Sequence, residues 1–156
     1  MARTWLTIQV DLIEGRGIRL DPTPGRVFLV GPGHSFEHLA EAINSAFARW
    51  DLSHLHEFEL QDGRRIGFPD DEFASELAWL DHAKLKVARE LKPGDEFVYV
   101  FDLGDGWRHR CVVQTTKVDP AREYGMAPPY PVAISGWGWI PDQYGRRSQQ
   151  DDEDEE

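Results

Sequence analysis

Three stretches of the sequence hold side chains that could do chemistry. The first is His54, His56 and Glu57. On a β-strand, residues i and i+2 share a face, so the two imidazoles project side by side. Neutral ring nitrogens with one further nitrogen or oxygen donor suit a divalent metal such as zinc. The local sequence supplies no third ligand, and a hydrogen-bonding role for the pair is the plainer alternative. The second stretch spans residues 101–109 and holds Asp102, Asp105, Trp107 and His109. Asp105 and its flanking glycines make a turn, Asp102 faces Arg108 across it, and Trp107 packs. His109 then falls on an apolar face, where an imidazole needs a partner. His54 or His56 from a neighbouring strand is the candidate. His54, His56 and His109 are therefore weak metal candidates, and no cofactor is firmly implied. The third stretch is residues 136–145, where glycines alternate with Trp137, Trp139 and Tyr144. Such rings pack a core or line a groove for a peptide or small molecule. No nucleophile elbow and no Cys-His pairing is present, and Cys111, set mid-strand among apolar neighbours, reads as inert.

The elements that must hold these residues are legible to different degrees. Leu6, Ile8, Val10 and Leu12 alternate with polar residues, the mark of a half-buried strand. Residues 18–20 and 26–30 read as further short strands. Gly31-Pro32-Gly33 matches neither a P-loop nor a dinucleotide fingerprint. Ser35 then caps a helix whose apolar stripe is Phe36, Leu39, Ala40, Ile43, Phe47 and Trp50, with Arg49 on the polar side. Residues 54–60 form a strand candidate returning through residues 65–68. A second helix over Phe73, Leu77 and Leu80 follows, and residues 84–91 are ambiguous. Residues 97–116 form the best hairpin. A three-residue loop, Gly104-Asp105-Gly106, sets Leu103 opposite Trp107, Phe101 opposite His109 and Asp102 opposite Arg108, and gathers the apolar side chains on one face. Residues 120–144 show no periodicity and read as a long aromatic loop returning over the sheet.

The composition sets outer limits. The chain has 156 residues, 17 Lys and Arg against 28 Asp and Glu, and a net charge of −11. Six of those eleven charges sit in the acidic run of residues 151–156, leaving five for the rest. Direct nucleic-acid binding starts from a poor position on such a surface. One cysteine excludes an intrachain disulfide. No apolar run approaches membrane-spanning length, and with no signal-peptide block the expected location is the cytoplasm.

Two blocks resemble a known family. Residues 46–58, Ala-Phe-Ala-Arg-Trp-Asp-Leu-Ser-His-Leu-His-Glu-Phe, and residues 94–109, Gly-Asp-Glu-Phe-Val-Tyr-Val-Phe-Asp-Leu-Gly-Asp-Gly-Trp-Arg-His, are similar to the plasmid pRiA4b ORF-3-like proteins. These include TnpR-labelled passenger proteins of insertion elements. The resemblance implies an α+β domain, a link to plasmid or mobile-element biology and no established reaction. His54, His56, Glu57, Phe58, Asp102, Gly104, Asp105, Trp107 and His109 stand where the family pattern has the same types. The family's Pro-Pro-Ile-Trp-Arg-Arg segment is replaced here by residues 23–28. Its C-terminal cysteine block is replaced by residues 137–144, which removes any metal or redox role for those cysteines. No serine-recombinase motif or basic arm accompanies the resolvase-like label.

The sequence thus predicts one α+β domain over residues 1–145 and a disordered acidic tail over residues 146–156. The domain is a mixed, mainly antiparallel sheet with one long amphipathic helix packed on it and a long aromatic C-terminal loop. The expected function is a non-enzymatic module binding a protein or small-molecule ligand. A small metal-dependent hydrolase using the His54, His56 and His109 region is the alternative, and a DNA-associated accessory factor the second. His56 and His109 are expected in one polar pocket, bordered by Glu57 or Asp102 through a bulge and roofed by Trp137 or Trp139.

Overall fold

The computed structural model of the protein describes residues 5–72 and 74–145. The first strand runs further than its alternation requires: β1 (Trp5–Gly15) buries Leu6, Ile8, Val10 and Leu12 on one side. It reverses at Arg16 and Gly17, both at positive φ, into β2 (Ile18–Arg19). Two successive left-handed residues are what a two-residue hairpin turn demands. The next strand, β3 (Gly25–Val30), pairs antiparallel with β1, Leu6 opposite Val30 and Ile8 opposite Phe28.

Ser35 caps α1 (Phe36–Ala46): its hydroxyl accepts from the His38 N–H, and His38 Nδ1 accepts from the Ser35 N–H. Phe36, Leu39, Ala40 and Ile43 bury against the sheet. The helix is only 11 residues long, not the long one expected from a stripe reaching Trp50. Ala48 turns into the left-handed region at φ 57° and ends it. Arg49 is consequently buried and Trp50 exposed, the reverse of continued helical periodicity. The other helices, α2 (Ala74–Leu77), α3 (Val87–Glu90) and α4 (Pro120–Tyr124), are about one turn each. The expectation of one long helix on a sheet is therefore corrected, because the sheet dominates the molecule.

Among the described residues that sheet has nine strands. Its path runs β6 (Trp79–Asp81), β5 (Arg65–Gly67), β4 (His56–Leu60), β7 (Glu96–Phe101), β8 (Trp107–Val118), β1, β3, β9 (Val132–Trp137), with β2 beside β1. Among the described residues only β5 and β6 pair parallel; the other pairings are antiparallel. The second expected helix shrinks to α2 because Ala78 adopts φ 54° and Trp79 enters a strand. Phe73 lies outside the described residues. One face of β4, β7, β8, β1 and β3 meets α1 in a core of Phe58, Phe97, Tyr99, Phe101, Cys111, Val113 and their neighbours. At its centre the Tyr99 hydroxyl donates to Asn44 Oδ1 at 2.7 Å, tying helix to sheet.

The β7–β8 register differs from the expected one by two residues. Phe101 pairs with Trp107, Tyr99 with His109 and Phe97 with Cys111, so residues 102–106 form the loop. A shift of two preserves faces: Phe97, Tyr99, Phe101, Trp107, His109, Cys111 and Val113 are buried as expected. Leu103 is exposed, and Arg108 lies opposite Val100 rather than Asp102. The reason is Asp102 itself. At φ 62° it leaves the strand, and its Oδ1 accepts the N–H groups of Gly104 and Asp105.

The long C-terminal loop is also corrected. It contains α4 and the edge strand β9, whose residues lack alternation because five of the six are exposed. Trp137 lies over Gly25, where a Cβ would fall 2.3 Å from the ring. Gly138, at φ 85° and packed on Pro24, then turns the chain back towards α1. No helix among the described residues is long and apolar enough to cross a membrane. The expected acidic tail lies outside the described residues.

Candidate functional site

The residues singled out in the sequence divide into three places. His54 lies in the loop before β4, not on it, so it does not project beside His56. Instead it meets Asp102, Tyr144 and a residue the sequence reading passed over, Asp51. The Tyr144 hydroxyl donates to Asp51 Oδ2 at 2.6 Å, and His54 Nε2 lies 2.6 Å from the same hydroxyl. With the phenol proton committed to Asp51, Nε2–H of His54 is the donor to the phenol oxygen. On the other side of the ring, Nδ1 lies 3.4 Å from Asp102 Oδ2. Ser53 donates to Asp51 Oδ1 through both its hydroxyl and its N–H.

Position follows from local folding. Gln143, fully buried, accepts from the N–H groups of Trp50 and Asp51 and donates to the Asp51 carbonyl. Arg49 donates to the carbonyls of Phe47 and Pro141. Residues 140–145 are thereby clasped onto the segment that follows α1. The Asp102 N–H donates to Leu55 O, holding the hairpin loop to the same segment. The signal for Gln143 was absent, since a lone Gln in an aperiodic stretch carries no pattern.

Electrostatically this cluster is settled. Donors from Ser53 and Tyr144 hold the Asp51 carboxyl well below the usual carboxylate range. The hydrogen bond to Asp51, with some desolvation, pushes the Tyr144 phenol up to about 12. Neither group is poised to exchange a proton near neutrality. Around the cluster stand Trp50, 49% exposed and edge-on to the Tyr144 ring, Leu52, 62% exposed, and Leu103, 42% exposed. Asp105 is close enough to act on the phenol.

His56 and His109 occupy the second place, the helix-facing side of the sheet. They share a side, as expected, but the Tyr99 ring stands between them, 5.7 Å and 5.2 Å from their centroids. They form no common polar pocket. His109 Nδ1 lies 3.0 Å from the Tyr99 carbonyl, so Nδ1 carries the proton, and burial lowers the ring to about 4. His56 Nε2 meets His82 Nδ1 at 2.8 Å, and His82 Nε2 meets Glu37 Oε2 at 3.0 Å. A proton on His82 Nε2 faces the carboxylate, so His82 Nδ1 accepts from His56. Burial, then the repulsion that a proton on His82 would exert, lowers His56 to about 3. The need of His56 for a partner is readable from the sequence; the identity of the partner is not, because the helix expected over Phe73, Leu77 and Leu80 hides the strand that leads to His82.

Glu57, Trp137 and Trp139 lie elsewhere. Glu57 points to the opposite face and accepts from Trp79 Nε1 and Arg65. Trp137 and Trp139 are exposed at the β9 edge and roof neither histidine. Among the described residues no three His, Cys, Asp or Glu side chains converge to hold a metal ion. Trp107 lies against Gly15, where a Cβ would fall 2.0 Å from the indole, and under the Arg49 guanidinium at 4.4 Å.

Residues 18–145 match the family model described as plasmid pRiA4b ORF-3-like protein. The chain belongs to that family. The chain is also similar to the uncharacterized protein y4hQ of Sinorhizobium fredii (strain NBRC 101917 / NGR234), 32% identical over 78 residues. The match takes in 50% of this chain and 39% of that one, so the chain spans well under half of the relative's length. The crystal structure of a protein of unknown function, MM3350 from Methanosarcina mazei Go1, superposes with a TM-score of 0.64 at 22% identity. It covers 87% of this chain and 70% of that one, a likeness of fold. The function of the pRiA4b ORF-3-like family is not established.

Proposed function

We propose that this pRiA4b ORF-3-like protein is a non-enzymatic partner-binding module that works through the loop end of the β7–β8 hairpin. The observation that carries this reading is the exposure of Trp50, Leu52 and Leu103 around the Asp51–Tyr144–His54–Asp102 cluster. Large apolar side chains on a surface mark interaction sites, and Trp, here the exposed Trp50, is among the residue types enriched in interface hot spots. Because the polar groups in the middle are bonded to one another, they hold shape rather than react. Asp51, Asp102 and Asp105 give the surface a negative centre, which fits a partner segment carrying Arg or Lys beside apolar residues. The hydrolase reading has less support, since two of its three histidines, His56 and His109, are buried and bonded within the sheet. A cytoplasmic setting and a link to plasmid or mobile-element biology belong to this proposal; the second is supported by the family's name.

Selection of a displayed random-peptide library against the full chain tests the reading. Recovered peptides are expected to carry Arg or Lys flanked by aliphatic or aromatic residues. Their binding is expected to fall about tenfold or more in Leu52→Asp and Leu103→Asp, exposed positions where substitution is expected to leave the melting temperature unchanged. Peptides without a basic residue, or binding indifferent to both substitutions, would overturn it.

A further inference from the structure

Exposed apolar surface is concentrated in one part of the chain. Six of the eleven large apolar side chains exposed among the described residues are Tyr124, Met126, Tyr130, Val132, Trp137 and Trp139. Residues 126–141 also form the longest run of the sequence without Asp, Glu, Lys, Arg or His, in a chain that is 29% charged. Strand β9 runs through the middle of that stretch and ends the sheet. It has β3 on one side, and among the described residues no strand lies on the other. An edge strand offers a row of unpaired N–H and C=O groups to any other strand, and proteins blunt such edges by shortness or charge. The opposite end of the sheet is blunted both ways, since β6 has three residues and carries Asp81. In contrast, β9 has six residues and no charge. Its one blunting device is a bulge at Ile134, which the β3–β9 register skips. The bulge shortens any ladder on the free side, so apolar side chains must carry part of a contact there.

We propose that β9 is the contact between two copies of this chain. The two strands pair antiparallel about a two-fold axis and join the two sheets, and the exposed apolar side chains beside them bury across it. Charge selects this occupant. Each copy carries −11, so two copies repel one another and approach at least cost where no charge stands. A basic partner would be held through acidic residues, which residues 126–141 lack. Two-fold pairing sets β9 of one copy opposite β9 of the other. Like charges directly opposite destabilise a sheet, and the strand has none to oppose. The contact uses none of Trp50, Leu52 and Leu103, so either proposal can fail while the other stands.

The test is sedimentation equilibrium of the full chain between about 5 and about 500 µM. A reversible monomer–dimer equilibrium is expected, with a Kd on the order of 50 µM, as suits a small contact. Ser135→Glu and Val132→Lys place charges of opposite sign at two exposed positions of β9. The two-fold doubles each change, and both are expected to raise Kd about tenfold or more. Leu80→Glu adds the same charge as Ser135→Glu at the opposite edge of the sheet, and is expected to leave Kd within about twofold. In the unsubstituted chain, amide exchange over residues 132–136 is expected to slow as concentration rises. A chain that stays monomeric throughout overturns the proposal and leaves the edge to a strand from another protein. A dimer that tolerates both β9 substitutions overturns it too, as does β9 amide exchange that ignores concentration.

Discussion

An imidazole sealed under a helix has to be neutral, and the surroundings of His109 show why. Its Nδ1–H has the Tyr99 carbonyl, its ring meets Phe47 at 5.1 Å, and the nearby Arg49 charge opposes a second proton. Its pKa falls to about 4, chiefly through desolvation. In the unfolded chain the same ring titrates near 6.5. Between those values the unfolded chain binds the extra proton and the folded one does not, so stability rises with pH across the window. The His109 contribution is complete above about pH 6.5 and is lost as the pH falls to about 4, by about 3 kcal/mol in all. His56, lowered to about 3 for the same main reason, adds a loss of the same sign. Urea unfolding measured across that range, with NMR titration of the His109 ring, checks the expectation. A ring that titrates near its ordinary value, or a flat stability profile, would refute it.

At the scale of elements, small residues decide where large rings lie. Gly15 ends β1 under the indole of Trp107, which Arg49 covers from another side. Gly25 opens β3 under Trp137, which is 42% exposed. Gly15→Ala forces overpacking on a ring that cannot move and is expected to cost about 2 kcal/mol or more. Gly25→Ala meets a ring free to swing into solvent and is expected to cost less than about 1 kcal/mol. Chemical denaturation of the two variants compares them, and equal costs would show that Trp107 is not clamped. The same contrast explains what the sequence could tell. Strands with one buried face, β1, β7 and β8, announce themselves by alternation, and a register error of two residues left their faces right. The tight turn at Arg16-Gly17 and the Ser35 cap were legible from local chemistry. Elements whose limits rest on one left-handed non-glycine residue were not: Ala48 stops α1, Ala78 stops α2 and Asp102 sets the hairpin loop, and no propensity marks them. Likewise β9 escaped because an exposed edge has no inner and outer face to alternate. Of the site, His54, Asp102 and Tyr144 were named from type and spacing. Asp51, Gln143 and His82 were missed because their roles come only from contacts far apart in the chain.

Across the whole molecule, the closing contact joins the end of the described chain to its middle. Arg49 and Pro141 are linked at 2.6 Å, and Gln143 holds the Trp50–Asp51 backbone by three hydrogen bonds. After leaving the β9 edge, residues 140–145 cross to α1 and bring Tyr144 to Asp51 and His54, so the proposed partner surface depends on this return. By contrast, residues 151–156 are six consecutive acids that repel one another and offer no apolar surface to bury. A chain cut after Gly145 is therefore expected to melt within about 2 °C of the full chain. A chain cut after Trp139 loses the Gln143 acceptor for the Trp50 and Asp51 N–H groups, the Pro141 carbonyl that Arg49 Nη2 donates to and the packing of residues 140–145. It is expected to melt at least about 8 °C lower. Gln143→Ala in the full chain, removing only the amide, is expected to fall between the two. Thermal unfolding of the three proteins side by side decides the matter. A large loss from the first cut would mean that the acidic segment docks on the body. Indifference to the second would mean that the 47–54 segment and the hairpin loop hold each other without the clasp.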